Sequence, residues 1–331
     1  MRTAVVGVGH MGRHHARLYH ELPQSQLVAV VDVNADRAAE IARQYHTRAL
    51  ASVDELPDGV QAVTVAVPTI YHRTITEKLL HRGIACLVEK PIADSVTEAE
   101  ALLKCAQSSG TLLSVGHTER FNPVVRAIQR LNIRPRYIES QRISPFRFRS
   151  ADIGVVADMM IHDIDIILHL VGSRPVKVDA VGVNVLARHE DVANARVVFE
   201  NGTVANLVAS RLALKTDRRL RVFSDTAYLS LDYQRKNGIV VTRDANLDVL
   251  ALAKDKKLED LAQMADLDFG QLVKVEPLIV DDVEPLRAEL ESFLESVRTG
   301  RPPAVSAEDG VDALRLASEI VSAIQRHRWD T

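Results

Sequence analysis

The sequence has little cysteine and no long apolar run. Its only two cysteines, Cys86 and Cys105, lie in stretches predicted as a strand and a helix, which favours buried small side chains over a disulfide or a metal site. The sequence contains no run of about 20 apolar residues, which is the length needed to span a membrane. The net charge of −3 gives no general attraction for nucleic acid or for an anionic membrane. Because the chain also starts directly on strand residues, we expect a cytoplasmic protein without nucleic-acid or membrane partners.

The order of apolar segments predicts two domains. The first third alternates strands and helices, which is typical of a doubly wound parallel sheet of the Rossmann type. Further along, β-branched runs follow one another with turn signals such as Asn201-Gly202, which favours a mostly antiparallel sheet. We therefore predict an α/β protein with an N-terminal Rossmann domain, residues 1–120, and a C-terminal α+β domain with an open, mostly antiparallel sheet, residues 121–331.

The individual elements follow from the periodicity of the apolar residues. In the first domain the strands are predicted near 3–6, 26–31, 62–66, 85–88 and 112–115, and the helices near 11–20, 35–45, 71–82 and 96–108. In the second, helices are predicted near 122–132, 155–170, 285–299 and 306–327, and strands near 176–185, 192–199, 203–210, 219–224, 227–231 and 238–242. Residues 243–284 have no regular pattern, and no internal repeat is present.

A glycine motif follows the first predicted strand. Gly7, Gly9 and Gly12 have the spacing G-x-G-x-x-G, which permits a tight turn, close approach of a pyrophosphate and packing of the next helix on the strand. The second strand ends at Asp32, twenty residues after the last glycine, where a carboxylate would bind the ribose hydroxyls of adenosine. The whole arrangement predicts an NAD site. Asp32 disfavours the 2′-phosphate of NADP.

Two further predicted strands are followed by residues that could take part in binding or catalysis. Val67-Pro68-Thr69 follows one strand, and Thr69 and His72 would lie at the ligand crevice at the carboxyl ends of the strands. Glu89-Lys90-Pro91 follows the next strand in the same way. The alternative for Val67-Pro68-Thr69 is a plain strand-to-helix turn. The alternative for Lys90 is a lysine exposed to solvent.

A stripe of ionisable residues runs along the predicted helix 155–170. Asp158, His162, Asp165 and His169 are spaced 4, 3 and 4 residues apart and fall on one narrow face of an otherwise apolar helix. Buried charges need partners, so three readings are open: Asp and His satisfy each other structurally, they share a metal ion, or they perform acid–base work. A nicotinamide site in the same chain favours acid–base work, and we predict no metal.

Arginine is frequent around the predicted domain junction and in the second sheet. Paired hydrogen bonds from guanidinium groups suit phosphate or carboxylate, so these residues favour an anionic substrate such as a nucleotide sugar. The residues are Arg120, Arg142, Arg147, Arg149, Arg211, Arg218, Arg219 and Arg221.

Together these motifs resemble the Gfo/Idh/MocA oxidoreductases, the glucose–fructose oxidoreductase and inositol dehydrogenase family. The resemblance rests on the glycine motif, Ala66-Val67-Pro68-Thr69 with His72, Glu89-Lys90-Pro91, and Asp158 with His162 and Asp165. It implies a nicotinamide domain and a second domain whose open sheet covers the active site and often builds a homo-oligomer, here a dimer or tetramer. It also implies Lys90, Asp158 and His162 as the catalytic set. The cofactor contacts that the resemblance implies are Gly7, Gly9, His10, Met11, Gly12, Asp32, Pro68, Thr69, His72, Glu89 and Lys90.

The segments Ser114–Pro123 and Gly154–Asp165 resemble, within this family, the branch that oxidises UDP-N-acetylglucosamine at C3. The resemblance implies a small-molecule sugar or nucleotide-sugar substrate held by Lys90, Arg120, Asn122, Arg147, Asp158 and His162. We expect oxidation of a secondary hydroxyl by NAD, with either His162 or Lys90 as the proton acceptor. The alternatives are a free-sugar or inositol dehydrogenase of the same family, an enzyme that retains and recycles its cofactor, and a non-catalytic NAD-binding regulator.

Overall fold

The structure, a computed structural model, describes residues 1–131, 133–146, 153–243 and 273–329. Six parallel strands form its first sheet, in the order β3-β2-β1-β4-β5-β6. This is the doubly wound order, and the prediction of a Rossmann-type sheet is confirmed. The elements are β1 Arg2–Val6, α1 Gly12–Glu21, β2 Gln26–Val31, α2 Ala35–Gln44, β3 Arg48–Leu50, β4 Ala62–Val65, α3 His72–His81, β5 Ala85–Glu89, α4 Val96–Ser109 and β6 Leu113–Gly116.

The strands of this sheet are apolar because both faces are covered. Val63 of β4 belongs to one buried apolar cluster and the preceding Ala62 to another, since successive side chains of a strand point to opposite faces. Helix ends follow the predicted signals: Ser95 caps α4 by accepting the backbone N–H of Glu98, and Gly110 ends the helix in the left-handed conformation.

The second sheet has eight described strands, in the order β14-β13-β12-β11-β7-β10-β9-β8. All neighbouring pairs are antiparallel except β7 and β10, which confirms a mostly antiparallel sheet. The remaining elements are α5 Pro123–Gln129, β7 Tyr137–Ile143, α6 Ile161–Val171, β8 Pro175–Val183, β9 Val192–Phe199, β10 Val204–Ser210, β11 Asp217–Phe223, β12 Ala227–Asp232, β13 Asn237–Arg243, β14 Val273–Pro277, α7 Pro285–Thr299 and α8 Ala307–Arg326.

Strand β7 is absent from the predicted elements although it lies inside the sheet. Its side chains alternate between buried and partly exposed, but two of the buried ones are Ser140 and Arg142. The hydrophobic alternation that marks a half-buried strand is therefore broken. The short strands β3 and β14 were likewise not predicted.

The chain divides into two compact units that are not continuous in sequence. Unit 1 comprises Met1–Asn122, Val156–His169 and Val283–Thr331, and unit 2 comprises Pro123–Val155 and Leu170–Asp282. The predicted division, 1–120 and 121–331, follows chain order and differs for a physical reason: apolar residues of α7 and α8, such as Phe293 and Val311, complete the two apolar clusters of the first sheet. The assignment of cofactor binding and substrate binding to the two predicted domains stays a prediction.

Candidate active site

The glycine turn between β1 and α1 leaves room where the spacing predicts a pyrophosphate. A Cβ on Gly12 would lie 1.7 Å from the carbonyl oxygen of Gly7, and a Cβ on Gly7 would lie 2.5 Å from that of Ala66. Gly7 also has a φ of +83°, which favours glycine. A Cβ on Gly9 would meet nothing nearer than Arg37, at 3.9 Å. The first and third glycines are thus required by the chain itself, while the second leaves open space, as a bound dinucleotide needs.

Asp32 ends β2 with its carboxylate held by the backbone. One oxygen accepts the N–H of Val8 at 2.9 Å and the other the N–H of Asn34 at 2.9 Å. Arg37 on the first turn of α2 brings Nη1 to 3.6 Å from the same carboxylate. Arg37 is not among the residues predicted for the cofactor site, although a basic residue five positions after Asp32, in the first turn of a predicted helix, was a signal for it.

The turn also contains His10 and Met11, two of the predicted cofactor contacts. His10 is exposed, and its ring stands edge-on to His14 with the centroids 5.8 Å apart. Met11 precedes α1 and is 36% exposed. Both side chains therefore lie on the surface of the glycine turn.

His72 connects the loops that follow β4 and β5. Its Nδ1 lies 2.9 Å from the carbonyl oxygen of Pro91 and its Nε2 lies 2.9 Å from that of Val67. Burial lowers the pKa of His72, although both carbonyls act against that shift. Pro68 is exposed and Thr69 half-buried at the start of a short 3₁₀ turn, so of this predicted set His72 has the buried, bridging position.

Glu89 and Lys90, at the end of β5, point to different partners. Glu89 is buried and its Oε1 lies 2.8 Å from Nε2 of His15 on α1. Lys90 follows it and precedes Pro91 through a cis peptide bond. Its Nζ donates to the backbone carbonyl of Asp158 at 2.6 Å and lies 3.5 Å from Oδ1 of the same residue. The structure thus brings together Lys90 and Asp158, two of the three predicted catalytic residues.

The ionisable stripe is divided between two sites. Val156–Met160 forms a π-helical turn that contains Asp158, and α6 continues from Ile161 with His162 half-buried one turn further on. Asp165 and His169, at the other end of the stripe, contact Arg120 instead of Lys90. In that half of the stripe Asp165 and His169 both bind Arg120, which differs from the interpretation that Asp and His satisfy each other, while Asp158 and His162 remain candidates for acid–base work. In the described ranges no three His, Cys, Asp or Glu side chains are grouped so that they could hold a metal ion.

Arg120, a predicted substrate contact, is engaged inside unit 1. Its Nε donates to Oδ2 of Asp165 at 2.9 Å, its Nη2 bonds the other oxygen, and Nη1 lies 2.9 Å from Nδ1 of His169. Its side chain is only 4% exposed. Asn122, another predicted contact, donates to Glu119 at 3.2 Å. Both predicted substrate contacts therefore have partners within unit 1.

The remaining arginines are dispersed. Arg147 and Arg149 lie outside the described residues. Within unit 2, Arg211 pairs with buried Asp191 at 2.6 Å, and the guanidinium of Arg142 lies over the ring of Tyr233. Arg219 and Arg221 pair with carboxylates at 2.9 and 3.3 Å, respectively, on the opposite face from Leu220. Arg218 lies opposite Arg142 where β11 pairs with β7, so the described arginines of unit 2 are divided between the two faces of its sheet.

Two buried residues near Lys90 were not singled out from the sequence. His15 lies on the inward face of α1, and Glu289 lies on the inward face of α7, where it accepts a hydrogen bond from Thr118 at 2.8 Å. Each is a polar residue at a helical position that the apolar periodicity assigns to the core. That signal could have identified both His15 and Glu289 from the sequence.

The comparisons with known proteins match the chain over most of its length. The model of the oxidoreductase family with an NAD-binding Rossmann fold matches residues 1–117, and that of the GFO/IDH/MocA C-terminal domain matches residues 128–230. Within the described part of the chain, no helix is long and apolar enough to cross a membrane.

Individual relatives are similar over nearly the whole chain. UDP-N-acetylglucosamine 3-dehydrogenase of Acidithiobacillus ferrooxidans is 37% identical over 98% of this chain and 97% of its own. A solved structure of that enzyme has a TM-score of 0.88 at 36% identity, covering 98% of this chain and 97% of its own. The NAD(+)-dependent scyllo-inositol 2-dehydrogenase of Bacillus subtilis is 29% identical over 96% of this chain and 92% of its own. The chain therefore belongs to the Gfo/Idh/MocA family of oxidoreductases, and its first sheet is the family's NAD-binding Rossmann fold.

Proposed function

We propose that this protein oxidises a secondary hydroxyl of a nucleotide sugar with NAD⁺, and that the substrate is UDP-N-acetylglucosamine oxidised at C3. The observation that carries the proposal is the contact between Lys90 and Asp158, because it places an ammonium group beside the first turn of the helix that bears His162. The substrate is chosen on the 37% identity to an enzyme of that activity over 98% of this chain.

The glycine turn and Asp32 would hold the dinucleotide. The open space at Gly9 suits the pyrophosphate, and the Asp32 carboxylate suits the ribose hydroxyls. When bound, NAD⁺ supplies the acceptor for the hydride. The preference for NAD over NADP is part of the proposal, since the fixed carboxylate of Asp32 would repel a 2′-phosphate and Arg37 offsets that repulsion only in part.

The residues of this chain would handle the proton. His162 accepts the proton of the hydroxyl group, and Asp158, one turn earlier, orients it. Lys90 donates a hydrogen bond to the same oxygen and stabilises the negative charge that develops there. The carbonyl of Asp158 fixes the ammonium group in advance, so Lys90 does not have to be ordered by the substrate.

The test is a substrate panel with purified protein. UDP-N-acetylglucosamine, other UDP-sugars, free sugars and inositols are incubated with NAD⁺ while the absorbance of the reduced cofactor is followed. We expect turnover with UDP-N-acetylglucosamine, and a loss of about 10²–10⁴-fold in kcat for His162→Ala with NADH affinity retained. If only inositols are turned over, the substrate is an inositol and not UDP-N-acetylglucosamine. If none of the compounds is turned over, the result favours an NAD-binding regulator.

A homo-oligomer stays a prediction. Light scattering of the purified chain measures it directly.

A further inference from the structure

A buried, hydrogen-bonded pair of side chains, His15 and Glu89, adjoins Lys90 in the chain. His15 has no exposed side-chain surface, and its Nε2 lies 2.8 Å from Oε1 of Glu89, the residue that precedes Lys90. Burial by itself would raise the pKa of Glu89, but the hydrogen bond and charge of His15 and the nearby Lys90 outweigh it and lower that pKa. Glu89 therefore carries a negative charge, and His15 is its hydrogen-bond partner.

A second carboxyl group near this pair is neutral. Glu289 is 2% exposed, and it accepts a hydrogen bond from Thr118 at 2.8 Å. Burial, and then repulsion by Glu89, raise its pKa well above the ordinary value. The two buried carboxyl groups thus have pKa values shifted in opposite directions, Glu89 toward the ionised form and Glu289 toward the protonated form.

The side chain of Lys90 lies at Asp158 and interacts electrostatically with Glu89. The ionisable groups around it include Glu89, Asp158, whose Oδ1 is 3.5 Å from Nζ, and His117, whose pKa is lowered by burial. The proposed mechanism adds His162. Of the two carboxylates, Asp158 contacts the ammonium group, whereas Glu89 acts on it through its charge and is the one that His15 hydrogen-bonds.

We propose that His15 is a positioning residue for the reaction, which keeps Glu89 ionised beside Lys90 and thereby keeps Lys90 a cation. Without the imidazole, Glu89 would be a buried carboxylate lacking its hydrogen bond, and it would take up a proton. Lys90 would then lose a neighbouring negative charge and release its own proton more easily. This inference rests on the proposed role of Lys90 at the reacting oxygen and assigns the proton-accepting role to His162.

The experiment measures Lys90 without a substrate. The full chain is treated with trace acetic anhydride between pH 6 and 10, and acetylation of Lys90 is quantified by mass spectrometry, since only the neutral amine reacts. His15→Leu and Glu89→Gln are each expected to accelerate acetylation of Lys90 about tenfold near neutral pH, which is a decrease of about one unit in its pKa. His14→Leu, a change at the adjacent, half-buried position, is the matched control and is expected to leave the rate unchanged.

A double-mutant cycle separates the charge effect from a structural one. If His15 acts through Glu89, Lys90 of the double variant His15→Leu/Glu89→Gln is acetylated at the same rate as in Glu89→Gln alone. If His15 has only a structural role in α1, the effects of the two substitutions on that rate multiply. The proposal would be overturned if the effects of His15→Leu and Glu89→Gln on the acetylation rate multiply. It would also be overturned if folded His15→Leu is acetylated at Lys90 at the wild-type rate. If His15→Leu does not fold, His15→Gln, which can still donate to Glu89, is expected to restore the wild-type profile; fast labelling there would also overturn it. Inactivity toward UDP-N-acetylglucosamine with the expected labelling refutes only the proposed substrate.

Discussion

The buried pair of Arg120 and Asp165 gives a prediction that separates folding from substrate binding. Both side chains are nearly inaccessible, 4% and 1% exposed, and two parallel hydrogen bonds join them. Asp165→Ala removes the carboxylate that forms both hydrogen bonds and leaves Arg120 with Asp309, a more exposed carboxylate 3.6 Å away, as a weaker partner. Breaking a buried pair in this way costs about 3–5 kcal/mol. At about 2–4 °C per kcal/mol for a unit of this size, Asp165→Ala should lower Tm by about 6–20 °C.

The same pair can be replaced as a whole. Arg120→Met combined with Asp165→Leu removes both charges and keeps an apolar volume, so we expect its Tm to lie within a few degrees of wild type. Asp54→Ala is the control, because Asp54 pairs with Lys78 where the two side chains are 62% and 50% exposed and such a pair contributes less than about 1 kcal/mol.

The assay is thermal and urea unfolding of each variant, followed by kinetics with the substrate identified in the panel. If Arg120 also holds the substrate, as predicted from the sequence, the double variant Arg120→Met with Asp165→Leu has a raised KM, whereas an unchanged KM there limits Arg120 to a structural role. A Tm loss for Asp165→Ala no larger than that of Asp54→Ala would refute the reasoning from burial.

Three further predictions concern the cofactor site and the buried acid. Gly9→Ala should leave Tm unchanged and weaken NADH binding at least tenfold, measured by fluorescence titration, whereas Gly12→Ala, whose Cβ would lie 1.7 Å from a carbonyl oxygen, should destabilise the fold itself. Arg37→Ala should reduce kcat/KM with NADP⁺ at least about tenfold more than with NAD⁺, because a guanidinium–phosphate interaction contributes about 1.5–3 kcal/mol; equal losses would exclude a contact with the 2′-phosphate. Glu289 has a raised pKa when folded, so its stabilisation is complete below its ordinary pKa and is lost as pH rises through the folded value. Glu289→Gln should therefore gain Tm relative to wild type as pH increases from 5 to 9, and parallel curves would contradict a neutral Glu289.

Local patterns predicted the first sheet well because its signals are local. The apolar runs of β1, β2, β4 and β5 and the glycine spacing depend on neighbours within a few residues. The second sheet was predicted from the same kind of signal, and β7 escaped it because Ser140 and Arg142 occupy positions where the pattern requires apolar residues.

The partners of the charged residues could not be predicted in this way. Arg120 and Asp165 are 45 residues apart in sequence, and His15 and Glu89 are 74 apart, so only the fold brings them together. The helical stripe correctly placed Asp158 and Asp165 on one helix. It carried no information that Lys90 would bind the first and Arg120 the second.

The π-helical turn at Val156–Met160 affects which sequences can preserve this site. Lys90 is held mainly by a backbone carbonyl, at 2.6 Å, rather than by the Asp158 carboxylate at 3.5 Å. Every amino acid at position 158 brings that carbonyl, so a substitution there keeps the main hydrogen-bond acceptor of Lys90. Insertion or deletion of one residue in the turn would instead shift the carbonyl. The placement of Lys90 therefore tolerates changes of side chain at position 158 better than changes of length.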